Sequence, residues 1–163
     1  MSYVDTSVIV AALDQLDPRH QQARTLLEKD EYKVISELVI AELASVLSRR
    51  HEVLSIITKE LGLSPKEAVV AALIYVLKRF GLRYKSIEGY ARFPSIGRMH
   101  RAVLTATTLA PILGLRTLDL LHVAYAKTLK EDGEPLSRII TADRGFEKAR
   151  DNLAKLGLEL VVI

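Results

Sequence analysis

The sequence has no cysteine and no long hydrophobic run. Without cysteine the chain forms neither disulfide bonds nor a cysteine-ligated zinc site, which favours an intracellular, cytoplasmic protein. The longest apolar run, residues 68–77, has ten residues, whereas a bilayer-spanning helix needs about 20. Residues 1–15 lack a basic leader and carry Asp5 inside their apolar stretch, which argues against a signal peptide. We therefore expect no membrane contact.

A strong charge of either sign is also missing, because 23 basic and 20 acidic residues leave a net charge of only +3. The 163 residues are 49% hydrophobic and 26% charged, which is typical of a soluble globular domain with a core of its own. We find no low-complexity linker and no internal repeat. A single domain over residues 1–163 is therefore expected, with a helical, basic and extended middle region at about residues 50–100.

Strand-like and helix-like segments alternate along the chain. The predicted strands are 2–4, 32–35, 138–141 and 158–163. The predicted helices are about 17–29, 36–50, 65–80, 97–113, 117–130 and 143–156, and the third follows a Ser64-Pro-Lys-Glu67 capping box. This alternation favours an α/β three-layer sandwich, with a short, mainly parallel central sheet and helices on both faces.

Two acidic residues interrupt helices that are otherwise apolar on nearly every side. Glu42 shares a helical face with Val39 and Val46, and a carboxylate buried there is costly unless it is paired or binds a metal. Asp119 interrupts the apolar stretch 117–126, although capping of the helix N-terminus also accounts for an acid in the first turn. An ordinary structural role remains an alternative for each residue taken alone.

Two more acids follow predicted strands directly. Asp5 follows the first strand together with Thr6 and Ser7, and Asp143 follows the third strand, which ends in Thr141. Open parallel sheets bind ligands at the carboxyl ends of their strands, although both aspartates also suit helix N-caps. Four acids that converge at this edge repel one another unless a cation is bound, and their hard oxygen donors suit Mg²⁺ or Mn²⁺.

Four short blocks together resemble a known family. YVDTSVIVA (3–11), SELVIAEL (36–43), LRTLDLLHVAYA (115–126) and ITADRGF (140–146) resemble, in order and spacing, the acidic blocks of PIN domains, in particular those of VapC-type toxins and related archaeal proteins. The resemblance implies a metal-dependent ribonuclease that is paired with an antitoxin. It implies a catalytic and metal-binding quartet of Asp5, Glu42, Asp119 and Asp143, whose carboxylates are supported by the hydroxyls of Thr6, Ser7 and Thr141.

The mechanism implied by such a quartet is metal-assisted hydrolysis. The metal lowers the pKa of a coordinated water, and the resulting hydroxide attacks phosphorus in line and displaces the 3′ oxygen. Arg116 and Arg144 flank two of the acids and are candidates for phosphate contact, with a solvated surface position as the alternative. His122 lies one turn after Asp119; we expect a core histidine there, and the alternative is a group that orients a water or a carboxylate.

The middle of the chain carries an excess of basic charge. Residues 78–101 contain seven basic residues and one acid, Glu88, with Tyr84, Tyr90 and Phe93 interspersed. Basic side chains neutralise phosphates and aromatic rings stack on unpaired bases, so the segment is predicted to guide single-stranded RNA to the acids. An antitoxin-binding surface and an exposed loop without a specific role are the alternatives. The RNA-binding candidates in this segment are Arg83, Lys85, Arg92, Arg98 and Arg101.

Other classes of protein share single features of this sequence. An aspartyl phosphatase of the haloacid-dehalogenase type requires a second aspartate two residues after Asp5, where Ser7 stands, and a receiver domain requires a pair of acids after the first strand. An RNA-processing PIN nuclease without an antitoxin, and a non-catalytic PIN module that binds RNA or protein, remain alternatives.

The apolar run 68–77 leads to an expectation about assembly. Its residues are apolar on every side of the predicted helix, which is more than a small domain easily buries. We therefore expect a homodimer with this helix, or the one before it, in the interface.

Overall fold

The computed structural model describes residues 1–29 and 31–163, and its centre is a five-stranded parallel sheet. The strands lie in the order β3-β2-β1-β6-β7, so that β1 is central, and β4 and β5 form a separate antiparallel hairpin. Their bounds are β1 (Ser2–Val4), β2 (Lys33–Ile35), β3 (Leu82–Tyr84), β4 (Tyr90–Phe93), β5 (Gly97–His100), β6 (Arg138–Thr141) and β7 (Glu159–Val162).

Helices cover both faces of the sheet, which makes the predicted α/β three-layer sandwich. The described ranges contain α1 (Thr6–Leu13), α2 (His20–Leu27), α3 (Glu37–Ser48), α4 (His51–Leu61), α5 (Pro65–Arg79), α6 (Arg101–Leu113), α7 (Thr117–Glu131) and α8 (Arg150–Lys155). A 3₁₀ segment, Arg144–Ala149, precedes α8. Within these ranges no single helix is long and apolar enough to cross a membrane; α6 and α7 reach that length and composition only together, and they bend by 115° at their break.

The core explains why the strands are apolar throughout. Every position of β1 and β2 is buried, and so is β6 from Ile139 onward, because helices cover a parallel sheet on both faces. Ile9 of α1, Leu43 of α3 and Leu153 of α8 are fully buried in the same core. The predicted capping box also forms, since the Ser64 hydroxyl and the side chain of Glu67 each bond the other residue's backbone N–H.

The middle region departs from the sequence prediction after α5. The helix predicted for 97–113 begins only at Arg101, because residues 97–100 pair with 90–93 as a hairpin. The turn between these strands uses left-handed backbone at Ser95 (φ 64°) and at Gly97 (φ 118°). Strand β3, which pairs with β2 at the sheet edge, was not predicted either.

Two helix boundaries near the candidate site also differ from the prediction. Asp17 was predicted to start a helix, but its side chain accepts bonds from the backbone and side chain of Arg19, which favours a turn. Helix α2 therefore starts at His20, and residues 6–13 form the additional helix α1. The helix predicted for 143–156 divides into the 3₁₀ segment and α8.

Candidate metal centre

All four acids singled out from the sequence line one open cavity of about 640 Å³. Asp5 and Asp143 follow β1 and β6, which are parallel neighbours, so both aspartates lie at the carboxyl edge of the sheet. Helices α3 and α7 contribute Glu42 and Asp119 to the same cavity. We refer to this space as the acid cavity.

Asp5 stands at the N-cap position of α1 but does not cap it. Its side chain accepts no capping bond from a backbone N–H of the helix. It is held instead by two hydroxyls, Ser7 Oγ in the first turn of α1 and Thr141 Oγ1, which each donate to Oδ2 over 2.6 Å. The residue is only 5% exposed. Helix capping therefore does not explain this buried carboxylate.

Asp143 combines both of the roles that the sequence left open. Its Oδ1 accepts a bond from the backbone N–H of Gly145 at 2.6 Å, which caps the 3₁₀ segment, and the residue also lines the acid cavity. The Thr141 hydroxyl oxygen accepts a bond from the Asp143 backbone N–H at 3.0 Å. Because Thr141 also donates to Asp5, one hydroxyl connects the two strand-end aspartates.

Glu42 is held through one oxygen. Thr6 Oγ1 donates to Oε2 over 2.5 Å, and His122 Nε2 lies 2.9 Å from the same atom. Burial by itself raises the pKa of Glu42, but the hydrogen bonds from His122 and Thr6 outweigh it and hold the pKa below its usual value. The glutamate is therefore an anion at neutral pH.

At Asp119 the influences that raise the pKa outweigh those that lower it. Burial raises its pKa, and the negative charges of Asp143 and Asp5 raise it further. His122 and Arg116 act against this shift without cancelling it. A cation in the cavity would therefore favour the ionised form of Asp119.

His122 has a larger part in the site than the sequence indicated. It is 2% exposed, as expected of a core histidine, but its Nε2 lies 2.9 Å from Glu42 Oε2 and 3.1 Å from Asp5 Oδ1. Burial lowers its pKa, while the bond to Glu42 and the charge of Asp5 raise it, and the net shift is upward. In the sequence, the position of His122 three residues after Asp119 was the feature that indicated a role in the site.

The donors in the cavity fit a hard divalent cation. The four carboxylates that line the cavity carry oxygen atoms of the kind that Mg²⁺ and Mn²⁺ prefer. Among the described residues, the group whose ligand atoms lie within 4.8 Å of one another consists of Asp5, Glu42 and His122, and Asp119 and Asp143 are not part of it. The hydroxyls of Thr6, Ser7 and Thr141 bond to the carboxylates and orient them.

The predicted RNA-binding residues lie outside the lining of the acid cavity in the described part of the chain. Two of them are paired with acids, Lys85 with Glu134 at 2.6 Å and Arg101 with Asp132 at 2.6 Å. The remaining five predicted RNA-binding residues lie in separate parts of the fold. Arg83 lies over the ring of Tyr32, Arg92 and Arg98 oppose each other across the hairpin, Arg116 precedes α7, and Arg144 begins the 3₁₀ segment.

Two arginines that were not singled out from the sequence do line the acid cavity. Arg19 bonds Asp17 and donates to the carbonyl of Ala142 at 2.5 Å. Arg49 donates only to Ser45 Oγ, at 2.6 Å, among the described side chains. Arg49 is the residue that follows α3, seven positions after Glu42, and this spacing of two helical turns would have indicated that the two side chains lie on the same side.

Comparison with known families identifies the chain. A family model of the PIN domain matches residues 2–152. The chain belongs to the PIN domain family. No curated protein matches it in sequence. The resemblance recognised in the four acidic blocks is therefore confirmed at the level of the family.

Solved structures with the same PIN fold share little sequence with this chain. VapBC2 from Rickettsia felis, bound to a DNA fragment from its promoter, has a TM-score of 0.54 at 18% identity, with 98% of this chain and 97% of that chain covered. The Sarcin-Ricin loop cleaving toxin VapC20 from Mycobacterium tuberculosis has a TM-score of 0.53 at 18% identity, covering 91% and 95%. VapBC-1 from nontypeable Haemophilus influenzae has a TM-score of 0.53 at 16% identity, covering 99% and 98%.

Proposed function

We propose that this PIN domain is a Mg²⁺- or Mn²⁺-dependent endoribonuclease that hydrolyses RNA phosphodiester bonds as the toxin of a toxin–antitoxin pair. The observation that carries the proposal is the convergence of Asp5, Glu42, Asp119 and Asp143 on one cavity at the carboxyl edge of the sheet. Four acids at one site are costly for a purely structural scaffold. Membership of the PIN family supports the same chemistry.

Each group in the cavity has a defined part in this proposal. The four acids hold the divalent cation, which when bound stabilises charge on the phosphate and acidifies water. Ser7 and Thr141 keep Asp5 in place, and Thr6 does the same for Glu42. Because the cavity is open to solvent, a phosphate of the substrate can approach the acids.

RNA reaches the acids, in this proposal, along basic side chains. Arg49 lines the cavity without an acidic partner among the described residues and is suited to contact a phosphate next to the cleaved bond. Arg116 lies close enough to Asp119 to affect its pKa. The hairpin β4–β5 adds Arg92 and Arg98, which form no ion pair in the described ranges.

The toxin assignment requires an antitoxin partner. The named VapBC structures share the fold of this chain, which supports a partner of the VapB kind. An RNA-processing PIN nuclease would use the same acids without such a partner. An adjacent open reading frame for a small protein, and its co-purification with this chain, separate the two functions.

The nuclease proposal is tested by metal-dependent cleavage of RNA. Purified protein should cleave RNA in the presence of Mg²⁺ or Mn²⁺. This cleavage should stop when EDTA is added. Asp119→Asn should reduce cleavage by about 100-fold or more, since it removes a charged metal ligand. Asp132→Asn is the matched control, because Asp132 pairs with Arg101 outside the acid cavity and its loss should leave cleavage unchanged.

Equal cleavage by the Asp119 variant and the parent protein would contradict the proposal, since the activity then comes from a contaminant or from another site. Absence of cleavage with either cation would favour a non-catalytic PIN module. Where cleavage occurs, sequencing of the 5′ ends that appear after brief expression identifies the RNA target and the preferred sequence.

A further inference from the structure

Three buried polar side chains form a line that ends at the acid cavity. The hydroxyl oxygen of Tyr3, in the central strand β1, lies 2.7 Å from Ser36 Oγ and 3.0 Å from His122 Nδ1. Tyr3 and Ser36 are fully buried and His122 almost so. The opposite nitrogen of the imidazole, Nε2, meets Asp5 and Glu42. The hydrogen bonds thus run from the interior of the sheet to two of the four acids.

The distances at Nε2 indicate where the ring carries a proton. Ionised carboxylates only accept hydrogen bonds, and Nε2 lies within 3.1 Å of an oxygen from each of two of them. An unprotonated Nε2 would direct its lone pair at both oxygens. A proton on Nε2 makes both contacts favourable, and a nitrogen that carries a proton has no lone pair left for a metal.

Tyr3 is suited to maintain this state of the ring. A phenylalanine would fill the same buried space without a polar group to satisfy, so the hydroxyl is costly unless it is bonded. A tyrosine hydroxyl is protonated at neutral pH, so it can donate one hydrogen bond and accept another. It can donate its proton to Nδ1 of a neutral ring while it accepts a bond from Ser36, which leaves Nε2 as the protonated nitrogen. In a fully protonated ring Tyr3 accepts from Nδ1–H instead, and Nε2 still carries a proton.

We propose that Tyr3 and His122 are positioning residues: the Tyr3 hydroxyl orients the His122 ring so that its Nε2–H holds the Asp5 and Glu42 carboxylates side by side for the metal. His122 engages the Oε2 atom of Glu42, the same atom that accepts the bond from Thr6. The second oxygen, Oε1, takes no part in these bonds and remains for the cation. The consequence for RNA cleavage rests on the proposed nuclease function.

The rival geometry makes His122 a metal ligand. Its Nε2 lies within 4.8 Å of a ligand oxygen of Asp5 and of Glu42, so the ring would only have to move its proton to Nδ1. Tyr3 would then accept from Nδ1–H and donate to Ser36. The heavy-atom distances are the same in both cases, and the proton on Nε2 decides between them.

Nitrogen NMR detects directly whether Nε2 of His122 carries a proton. The chain has four histidines, and comparison with a His122→Gln variant assigns the imidazole signals of His122 in ¹⁵N-labelled protein. We expect Nε2 to be protonated in the metal-free protein and to stay protonated in excess Mg²⁺. A signal that changes to unprotonated, metal-bound Nε2 with Mg²⁺ overturns the inference.

Calorimetry with Mn²⁺ tests the role of the tyrosine. Tyr3→Phe removes one oxygen atom and should weaken Mn²⁺ binding about 10-fold, as loss of groups that orient metal ligands typically does. Tyr125→Phe is the matched control, because it also removes one tyrosine hydroxyl, but from a partly buried side chain whose acidic neighbour is Glu37 rather than His122. It should bind Mn²⁺ like the parent protein. Unchanged Mn²⁺ affinity in folded Tyr3→Phe protein contradicts the positioning role.

These measurements separate the inference from the proposed function, since neither uses RNA. If Nε2 keeps its proton and Tyr3→Phe weakens Mn²⁺ binding while no RNA is cut, the inference stands and the nuclease proposal fails. If RNA is cut but Nε2 binds the metal, the nuclease proposal stands and the inference fails. If the parent protein binds no Mn²⁺ at millimolar concentration, both are wrong.

Discussion

At the scale of single residues, Asp119 shows what the proposed cation would change in this cavity. Burial and the charges of Asp143 and Asp5 raise the pKa of Asp119, whereas the hydrogen bonds that Glu42 accepts keep the pKa of Glu42 low. The four acids are therefore not equivalent before metal binds. Repulsion around Asp119 destabilises the empty site, and a cation relieves it.

Replacement of Asp119 by asparagine should therefore stabilise the metal-free protein. Because folding raises the pKa of Asp119, its contribution to stability is intact below the ordinary aspartate value and is lost as the pH rises through the raised pKa. The melting temperature of Asp119→Asn should match that of the parent protein at acidic pH. Near neutral pH it should be higher by at most about 2–4 °C, because solvent screening at this partly exposed carboxylate limits the repulsion to roughly 1 kcal/mol or less.

Thermal melts in EDTA across this pH range check the prediction. Asp17→Asn is a control for which the opposite change in stability is expected, because bonds from Arg19 lower the pKa of Asp17 to about 2. Its stabilising contribution is present above the ordinary aspartate pKa and lost as the pH falls, so the variant should be less stable at neutral pH. A lower melting temperature for Asp119→Asn at neutral pH would show that the repulsion is not significant.

Sequence patterns identified the acids but not the hydrogen bonds around them. Asp5, Glu42, Asp119 and Asp143 were detectable because each interrupts an apolar pattern or follows a strand. The bond from Tyr3 to His122 connects residues that are 119 positions apart, and no local periodicity encodes it. A buried tyrosine in a strand looks like an ordinary core residue until the fold places a partner at its hydroxyl.

At the scale of elements, the hairpin β4–β5 is the part of the basic segment best suited to bind RNA. Arg92 and Arg98 are directly opposite in the antiparallel register and both are exposed. Arg98 also lies 5.4 Å from the ring centre of exposed Tyr90. Like charges that face each other across a hairpin are destabilising, and the phosphates of a polyanion would compensate them.

Replacement of both hairpin arginines by glutamine should weaken RNA binding and flatten its dependence on salt. For each phosphate of single-stranded RNA that no longer meets a basic side chain, the slope of log K against log salt should fall by about 0.7. The same variant should be slightly more stable, by roughly 0.2–1 kcal/mol, because the repulsive pair is gone. Filter binding at several salt concentrations, in an Asp119→Asn background that does not cut RNA, measures the slope.

Lys85→Gln with Arg101→Gln provides the matched control for the hairpin. It removes the same number of charges from the same segment, but Glu134 and Asp132 already neutralise these two side chains. Its effect on the slope should be clearly smaller. Equal slopes for both double variants would mean that only the total charge matters and that the hairpin is not the RNA-binding surface.

The hairpin also shows where sequence reasoning about elements fails. Residues 97–100 continue directly into α6, and the segment was predicted as one helix from residue 97. Pairing with residues 90–93 and a bond between His100 Nε2 and the carbonyl of Ile87 at 3.0 Å determine the strand instead. Long apolar helices and the parallel strands were predictable because their patterns extend over enough residues.

At the scale of the whole molecule, several exposed apolar side chains lie together on α4 and α5, among them Val53, Ile56, Ile74 and Tyr75. Helix α5 turns its small residues Ala68 and Ala72 and also Val76 inward, and exposes Ile74 and Tyr75. Together with α1, α3 and α4 it encloses an apolar groove of about 470 Å³. The expectation that residues 68–77 carry more apolar surface than one domain buries agrees with this arrangement.

A homodimer that buries this groove remains our proposal for the assembly. Tyr75 lines the groove and is 63% exposed. Tyr75→Glu would place a charge in the interface and remove an aromatic anchor, and loss of such anchors costs on the order of 2 kcal/mol or more. The dimer dissociation constant should therefore rise by about 30-fold or more.

Sedimentation at micromolar concentration tests this assembly, with Leu16→Glu as the matched control. Leu16 is 93% exposed and does not line the groove, so its replacement adds the same charge to an equally apolar position elsewhere. The parent protein and Leu16→Glu should sediment as dimers, and Tyr75→Glu should shift towards the monomer. If the parent protein is monomeric, the groove is free in the isolated chain and a second protein becomes the better candidate to cover it. Because Val10 and Val46 line both the groove and the acid cavity, any occupant of the groove would then lie next to the four acids.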